Sequence, residues 1–537
     1  MTMDKKNYFV VGAGMAGLTA TNYLAKAGLN VTLFEQASQC GGLVNSFERN
    51  GFIYDGGIRS MEDSGILFPM LKNLGLDIEW LKSQVSIGLE KDILRLNGLE
   101  SVNDYEEFLR RNFTDSQQEI THIIKTITKI MSYMDILYGI ENPIFKDIKN
   151  DPKYATKVLL PWLFKYIRVI PKILKMHQPV EEFILKLSQD QKLNDNICQH
   201  FFTETPAFFA LSYFSLYLDY HYPKGGTGVL PRKLEENARS LGADIRLNTA
   251  ITHIDPDNKT LTDQHGNIYD YDAIIWAANL KNMYKAISCK NIKKDKVRQN
   301  VQNMKDKLES LRGGESVLSV YLALDQSVEH FRKICSEHLF YTADKTGLST
   351  VDRKAVDNII ESGKKDTHSK QKIKDYLKLL LERNTFEISI PAMRDPHLAP
   401  EGKTAFVISI LFDHKLTQYI KDMGWYDEFK IYIEDITVDI LSKSIFPDLD
   451  KHIIDKFSST PISMERLTAN LDGALTGWAF DKQDIPVPHK ITDMFDSYKT
   501  PLAHIYQAGQ WTFSPAGFPI AIFTGKRAAD MLIKKSL

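Results

Sequence analysis

Hydrophobic positions change their period several times along this chain, and each change predicts an element. Tyr8-Phe9-Val10-Val11 is an unbroken run of β-forming residues, the pattern of a parallel strand buried on both faces. Helical spacing follows over residues 18–27 and stops at Gly28, and a second strand is predicted over 30–34. An amphipathic helix over about 230–241 leads to alternating, strand-like segments at 243–248 and 250–254. A hairpin-like stretch at 260–268 and a buried strand at 273–278 complete this part. Near the end, a strand over 505–508 stops at Gly509, and a helix over about 520–534 carries a basic last turn.

The intervening stretches read differently. Ile120, Ile123, Ile124, Ile127 and Ile130 recur at helical spacing and predict an apolar stripe. Residues 158–170 are apolar around most of a helix, with Lys157, Lys165, Arg168, Lys172 and Lys175 interspersed. That composition suits a helix lying on an anionic membrane surface, and equally a lid or a subunit interface. Phe201, Phe202 and the aromatic run 208–214 read as ordinary core, in a position where a cap lined by them would suit a long apolar ligand. Ser316–Leu324, Thr404–Phe412 and Thr385–Ser389 read as strands of an antiparallel sheet. The charged stretch 344–378 reads as a solvated insertion, with a helix over about 373–381.

Composition bounds the possibilities. The 537 residues are about three typical domains' worth of chain. Apolar residues at 43% and charged ones at 25% are a globular balance, not a disordered one. With 67 Lys and Arg against 68 Asp and Glu, no basic excess exists to bind nucleic acid. Cys40, Cys198, Cys289 and Cys335 lie far apart, without metal-ligand spacing, and read as reduced thiols. No secretory leader is visible over 1–6, so a cytoplasmic location is expected. Residues 205–218 are too short to span a bilayer, and 500–525 are broken by Pro501, Gly509, Pro515, Gly517 and Pro519.

Candidate chemistry begins where the first strand ends. Gly12-Ala13-Gly14-Met15-Ala16-Gly17 is a GxGxxG turn flanked by strand, helix, second strand and the terminal acid Glu35. Gly12 permits the tight turn, Gly14 admits a pyrophosphate, and Gly17 lets helix and strand pack closely. The helix N-terminus offers free N–H groups to an anion, and Glu35 can accept from ribose hydroxyls. An acid there favours FAD or NAD over a 2′-phosphate cofactor. Beyond Gln36 come Gly41-Gly42 and then Asp55-Gly56-Gly57-Ile58-Arg59. These glycines let backbone pass the far half of a large cofactor. Arg59 is a cation for a phosphate or for the electron-rich edge of a flavin, against the alternative of a surface salt bridge.

At these residues the chain resembles the FAD-dependent carotenoid oxidoreductases, the group of phytoene desaturases, carotenoid isomerases and retinol saturases. The likeness runs on through Tyr222-Pro223-Lys224-Gly225-Gly226, Asp395-Pro396, residues 399–403, Thr460-Pro461 and 507–512 to Pro515 and beyond. It departs at Leu43, where a basic residue is usual, and in a closing loop poorer in glycine. The resemblance implies a bound FAD with its ring near the Ala516-Gly517-Phe518-Pro519 loop, Gly509 among the cofactor-binding residues, and backbone at Ile251 against the adenine. The fold class expected is α/β, a Rossmann-type FAD-binding domain interleaved with an α+β substrate domain of antiparallel sheet and helical cap. The boundaries expected are 1–100, 221–312 and 499–537 for the FAD domain, and 101–220 with 313–498 for the substrate domain.

A flavin exchanges hydride at N5 without a protein nucleophile, so no catalytic side chain is singled out, and His221 and Tyr506 read as structural. The leading expectation is an FAD-dependent desaturase, saturase or isomerase acting on C–C or C=C bonds of an apolar isoprenoid or polyene. Peripheral membrane association through 158–175 goes with it. The alternatives are an amine-oxidase or protoporphyrinogen-oxidase type of flavoenzyme, and a non-catalytic FAD-binding redox sensor. No metal site is expected.

Overall fold

The opening strand Asn7–Val11 lies at the centre of a parallel sheet, between Asn30–Phe34 and Ala273–Trp276. Asp244–Arg246 extends one side and Ile505–Gln507 the other, so chain-distant segments build one sheet. The computed structural model describes residues 6–363, 366–480, 485–488 and 491–536. Helices Met15–Lys26, Val229–Ser240 and Phe518–Ser536 bury their apolar faces on one side of this sheet, against Val10, Leu33 and Ile275. Phe9, Val11, Phe34 and Trp276 point the other way and pack on Ile254, Leu261 and Met283. Both faces are covered, which is why the strand sequences show unbroken apolar runs instead of alternation.

A second, seven-stranded sheet stands beside it among the described residues. Its order is Ile453–Ser459, Ser316–Leu324, Thr404–Phe412, Thr385–Ser389, His338–Thr342, Val85–Leu89 and Asp92–Leu96. All neighbours are antiparallel except His338–Thr342 with Val85–Leu89. The last two strands correct the boundary expected at residue 100. Residues 85–96 pair with this sheet, through a parallel partner too distant in sequence for local periodicity to announce.

The charged insertion is also not simply solvated. Its helices Arg353–Ser362 and Thr367–Arg383 turn Val356, Ile359, Ile373, Leu377 and Leu381 onto the sheet, beside Leu339 and Ile388. Spacings of three and four put the charges outward and a narrow apolar stripe inward. The predicted isoleucine stripe is buried in helix Gln117–Tyr138, part of a helical cap over the other face of the sheet. Cys40, Cys198 and Cys335 are buried free thiols. Among the described residues no helix is long and apolar enough to cross a membrane, and no group of three His, Cys, Asp or Glu is placed to hold a metal. The start of the chain, on which the cytoplasmic expectation rests, falls at 1–5 outside the described residues.

Candidate active site

Local backbone bonding shapes the turn after the first strand. The Gly12 amide donates to the Phe34 carbonyl at 2.8 Å, which ties the turn to the second strand. A Cβ on Gly17 would lie 1.8 Å from the Gly12 carbonyl oxygen, so helix and turn meet here only because that atom is missing. A Cβ on Gly14 would meet nothing within 4 Å, and that side of the turn is open. Glu35 closes the far side. Its Oε2 accepts from the Ala13 amide at 2.6 Å and its Oε1 from the Ala37 amide at 2.9 Å. Burial holds the Glu35 carboxyl above its usual range, and these backbone donors oppose the shift. The carboxylate keeps a lone pair for a further donor.

The paired glycines attach to the same turn. The Gly41 amide donates to the Ala13 carbonyl at 2.8 Å, and Ile58 donates to the Leu43 carbonyl at 3.0 Å. Asp55, fully buried, then locks the Gly56-Gly57 turn to the loop that follows Tyr222. It accepts from the Tyr222 hydroxyl at 2.8 Å, the Thr227 amide at 3.0 Å and the Thr227 hydroxyl at 2.8 Å. Ser46 Oγ donates to it at 3.0 Å, and the Gly225 amide donates to Asp395 at 2.9 Å. Three separate sequence motifs are thereby one scaffold.

This scaffold frames a cavity of about 870 Å³ that runs from the Gly12–Gly17 turn to the helical cap. Every expected contact residue borders it except Ala13, which faces Glu35, and Gly17, which packs behind the turn. Arg59 is not in a surface salt bridge. It is 3% exposed, and its Nη2 donates to Ser319 Oγ at 3.1 Å and Ser409 Oγ at 2.7 Å, while its buried Nε has no partner. A guanidinium held by hydroxyls alone retains its attraction for an electron-rich group. The open face at Gly14, the free N–H groups of the Met15–Lys26 helix and the orphaned Arg59 Nε fit an adenine dinucleotide carrying a ring system.

Four of the aromatic residues read as core do more than pack: Phe202, Phe208, Phe209 and Tyr213 border the cavity, and Tyr217 and Tyr220 border it with them. His221 and Tyr506 do not. His221 Nδ1 lies 2.7 Å from the Asp219 carbonyl, and the Tyr506 hydroxyl accepts from Lys535 at 2.9 Å. Sequence reading missed the polar residues of the cavity wall, among them Glu62, Gln199, His200, His338 and Glu387. A signal existed for two of them, since His338 and Glu387 interrupt strands otherwise dominated by apolar and small residues.

Burial, with Asp219 adding repulsion, pushes the Glu62 carboxyl up to about 7. The native state then holds this proton where the unfolded chain, titrating near 4.3, has lost it. Stability is therefore predicted to fall as pH rises from about 4.5 to 7 and to level off above. Glu62→Gln should remove that decline, raising the melting temperature at pH 8 more than at pH 5. An equal rise at both values would refute it.

Comparison with known proteins agrees with this architecture. The family described as flavin containing amine oxidoreductase matches residues 15–355, well over half the chain, and the protein belongs to it. It is accordingly an FAD-dependent oxidoreductase. Over 561 aligned positions it is 22% identical to the 4,4'-diapophytoene desaturase (4,4'-diaponeurosporene-forming) of Staphylococcus aureus, covering 98% of each protein. Among solved structures it is similar to putrescine oxidase bound to putrescine (TM-score 0.58, 15% identity, 98% of this chain and 99% of that one). Cyclohexylamine oxidase of Brevibacterium oxydans is alike to the same degree (TM-score 0.58, 11% identity, 99% and 100%). At such identities these structures establish the fold: a Rossmann-type layer beside a second, mostly antiparallel sheet.

Proposed function

We propose that the protein removes hydrogen across a C–C bond of a long, apolar isoprenoid. The observation that carries this reading is the continuous cavity from the glycine turn to an aromatic cap. Full-length similarity to a diapophytoene desaturase supports it. Bound FAD supplies the hydride acceptor. The glycine turn and the N-terminus of the Met15–Lys26 helix would hold its pyrophosphate, Glu35 would accept from its ribose, and Arg59 would supply a cation to its electron-rich edge. The cap aromatics orient an apolar chain by contact area and keep water out. Anaerobic mixing of the purified protein with 4,4'-diapophytoene should bleach the flavin band. Bleaching by amines but not by the polyene would establish the amine-oxidase alternative, and bleaching by a chemical reductant alone, with no substrate oxidised and no acceptor turned over, the redox-sensor one.

The domain division follows the same reading, with residues 85–96 moved to the substrate domain. Access from a membrane is supported by helix Leu160–Ile173. One side of it rests on Tyr133 and Ile136, with Trp162 Nε1 donating to the Ile136 carbonyl at 2.5 Å. On the other side Leu160, Leu163, Phe164 and Ile167, at helical spacing, are 41% to 60% exposed. Lys165 and Arg168 flank them. The supporting helix also carries Met134 and Tyr138, which border the cavity. An exposed apolar face ringed by cations and joined to the substrate cavity suits docking on anionic lipid. Phe164→Asp with Ile167→Asp should weaken sedimentation with anionic phosphatidylglycerol vesicles by about a hundredfold or more, since each buried side chain contributes about 1.5–3 kcal/mol. Unchanged sedimentation would exclude this face as the contact.

A further inference from the structure

A cavity for pure hydrocarbon has no use for charge, yet one wall of this cavity is polar by construction. Strands His338–Thr342 and Thr385–Ser389 pair so that His338 faces Ser389, Phe340 faces Glu387 and Thr342 faces Thr385. Alternation puts these six side chains on one face of the sheet, the face turned to the cap. The Thr342 and Thr385 hydroxyls are 2.7 Å apart, and Gln199 Nε2 of the cap donates to Thr385 Oγ1 at 2.9 Å. His338, 1% exposed, has Nε2 at 3.0 Å from Glu387 Oε1 and Nδ1 at 3.2 Å from Ser60 Oγ. The next strand adds Ser409 directly opposite Glu387, and Ser409 holds Arg59.

This wall has unused acceptors. Glu387 keeps 35% of its side chain accessible and borders the cavity, and no hydrogen-bond donor reaches its Oε2 among the described residues. Gln199 Oε1 is buried, borders the same cavity and has no partner. A hydrocarbon pressed against such groups would leave them unsatisfied, at a cost that a polar ligand avoids. Burial favours protonating Glu387, but the adjoining His338, with Arg59 and Arg394, overrides it and holds the carboxyl below its usual range. Burial also pushes His200 down to about 4, so that ring is neutral. At Glu387 the guanidinium groups of Arg59 and Arg394 already supply opposing charge, which leaves no demand for a further cation.

The geometry points to a hydrogen-bonding subsite on this wall, built from Glu387, His338 and Gln199, that takes a hydroxyl group carried by the isoprenoid. The preferred substrate is then an isoprenoid alcohol, and not an unfunctionalised hydrocarbon or an amine. This rests on the isoprenoid reading above and narrows it.

The test is equilibrium binding to the flavin-loaded protein in one detergent at pH 6, below the Glu62 transition. Perturbation of the visible band and the shift in unfolding temperature are its two readouts. The probes are geranylgeraniol, the same chain without its oxygen, and geranylgeranylamine. The alcohol should bind about ten- to a hundredfold tighter than the hydrocarbon. Gln199→Leu should reduce that preference and Glu387→Leu abolish it, each with hydrocarbon binding intact. Glu387→Gln, which retains an acceptor oxygen beside His338, should fall between and serves where the leucine variant does not fold. Equal binding of alcohol and hydrocarbon overturns the subsite and leaves the isoprenoid reading standing. Tighter binding of the amine overturns the hydroxyl assignment in favour of a cation site. Binding of none of the three removes the isoprenoid reading itself, and the subsite with it.

Discussion

Gly14→Val is expected to give a folded protein without a flavin band. Gly14 has φ −70° and ψ 180°, an extended conformation that any residue adopts, so the substitution strains no backbone. Nothing within 4 Å would touch the first added carbon, so the empty protein tolerates it. The added methyls instead fill the space over the helix N-terminus that the pyrophosphate needs. Overfilling a packed contact costs about 1–3 kcal/mol, and loss of the amide contacts adds to it, so flavin affinity should fall by about a hundredfold or more. Gly17→Val is the contrasting case. Its Cβ would lie 1.8 Å from a carbonyl oxygen, so turn and helix must part, and both unfolding temperature and flavin are lost. The check is the ratio of visible to protein absorbance, read beside the melting temperature. A Gly14→Val protein as yellow as the parent would show that no phosphate lies over this turn.

The dinucleotide half of the molecule was legible because its requirements are local. A strand buried on both faces must be apolar throughout, the turn must omit side chains at fixed offsets, and the acid must end the next strand. All of that falls within Tyr8 to Glu35. The substrate half was legible only where an element kept one pattern along its length, as at Ser316–Leu324 and in the isoleucine stripe from Ile120 to Ile130. Val85–Leu89 escaped because its partner, His338–Thr342, is separated from it by the whole cap. The polar wall escaped for another reason. In Thr385–Ser389, Glu387 interrupts an otherwise apolar and small-residue strand, but a lone acid fits an exposed edge as well, and only the tertiary fold shows it facing a cavity. Arg59 was legible as a cation but not as a buried one, because its partners Ser319 and Ser409 come from strands of the other layer. What sequence withholds here is the meeting of the two sheets, and the chemistry lies between them.

The scaffold that frames the cavity depends on Asp55, and Asp55→Ala is expected to be strongly destabilising. The carboxylate is fully buried and accepts from Tyr222, from Thr227 twice, and from Ser46. Truncation leaves the Thr227 amide and the Tyr222 hydroxyl buried without an acceptor, each at about 1–3 kcal/mol, and opens a void. A total of about 4 kcal/mol is expected, a large share of the margin by which a protein stays folded. Asp55→Asn should cost less, about 1–2 kcal/mol, because its amide oxygen still accepts from Thr227 and the Tyr222 hydroxyl can turn to accept from its NH₂. Flavin retention should follow the same order, since the residues Asp55 steadies, Gly57 to Arg59, border the cavity. Urea midpoints and bound flavin, measured on both variants, decide it. If alanine shifts the midpoint no further than asparagine, the three motifs are held together by something other than this carboxylate.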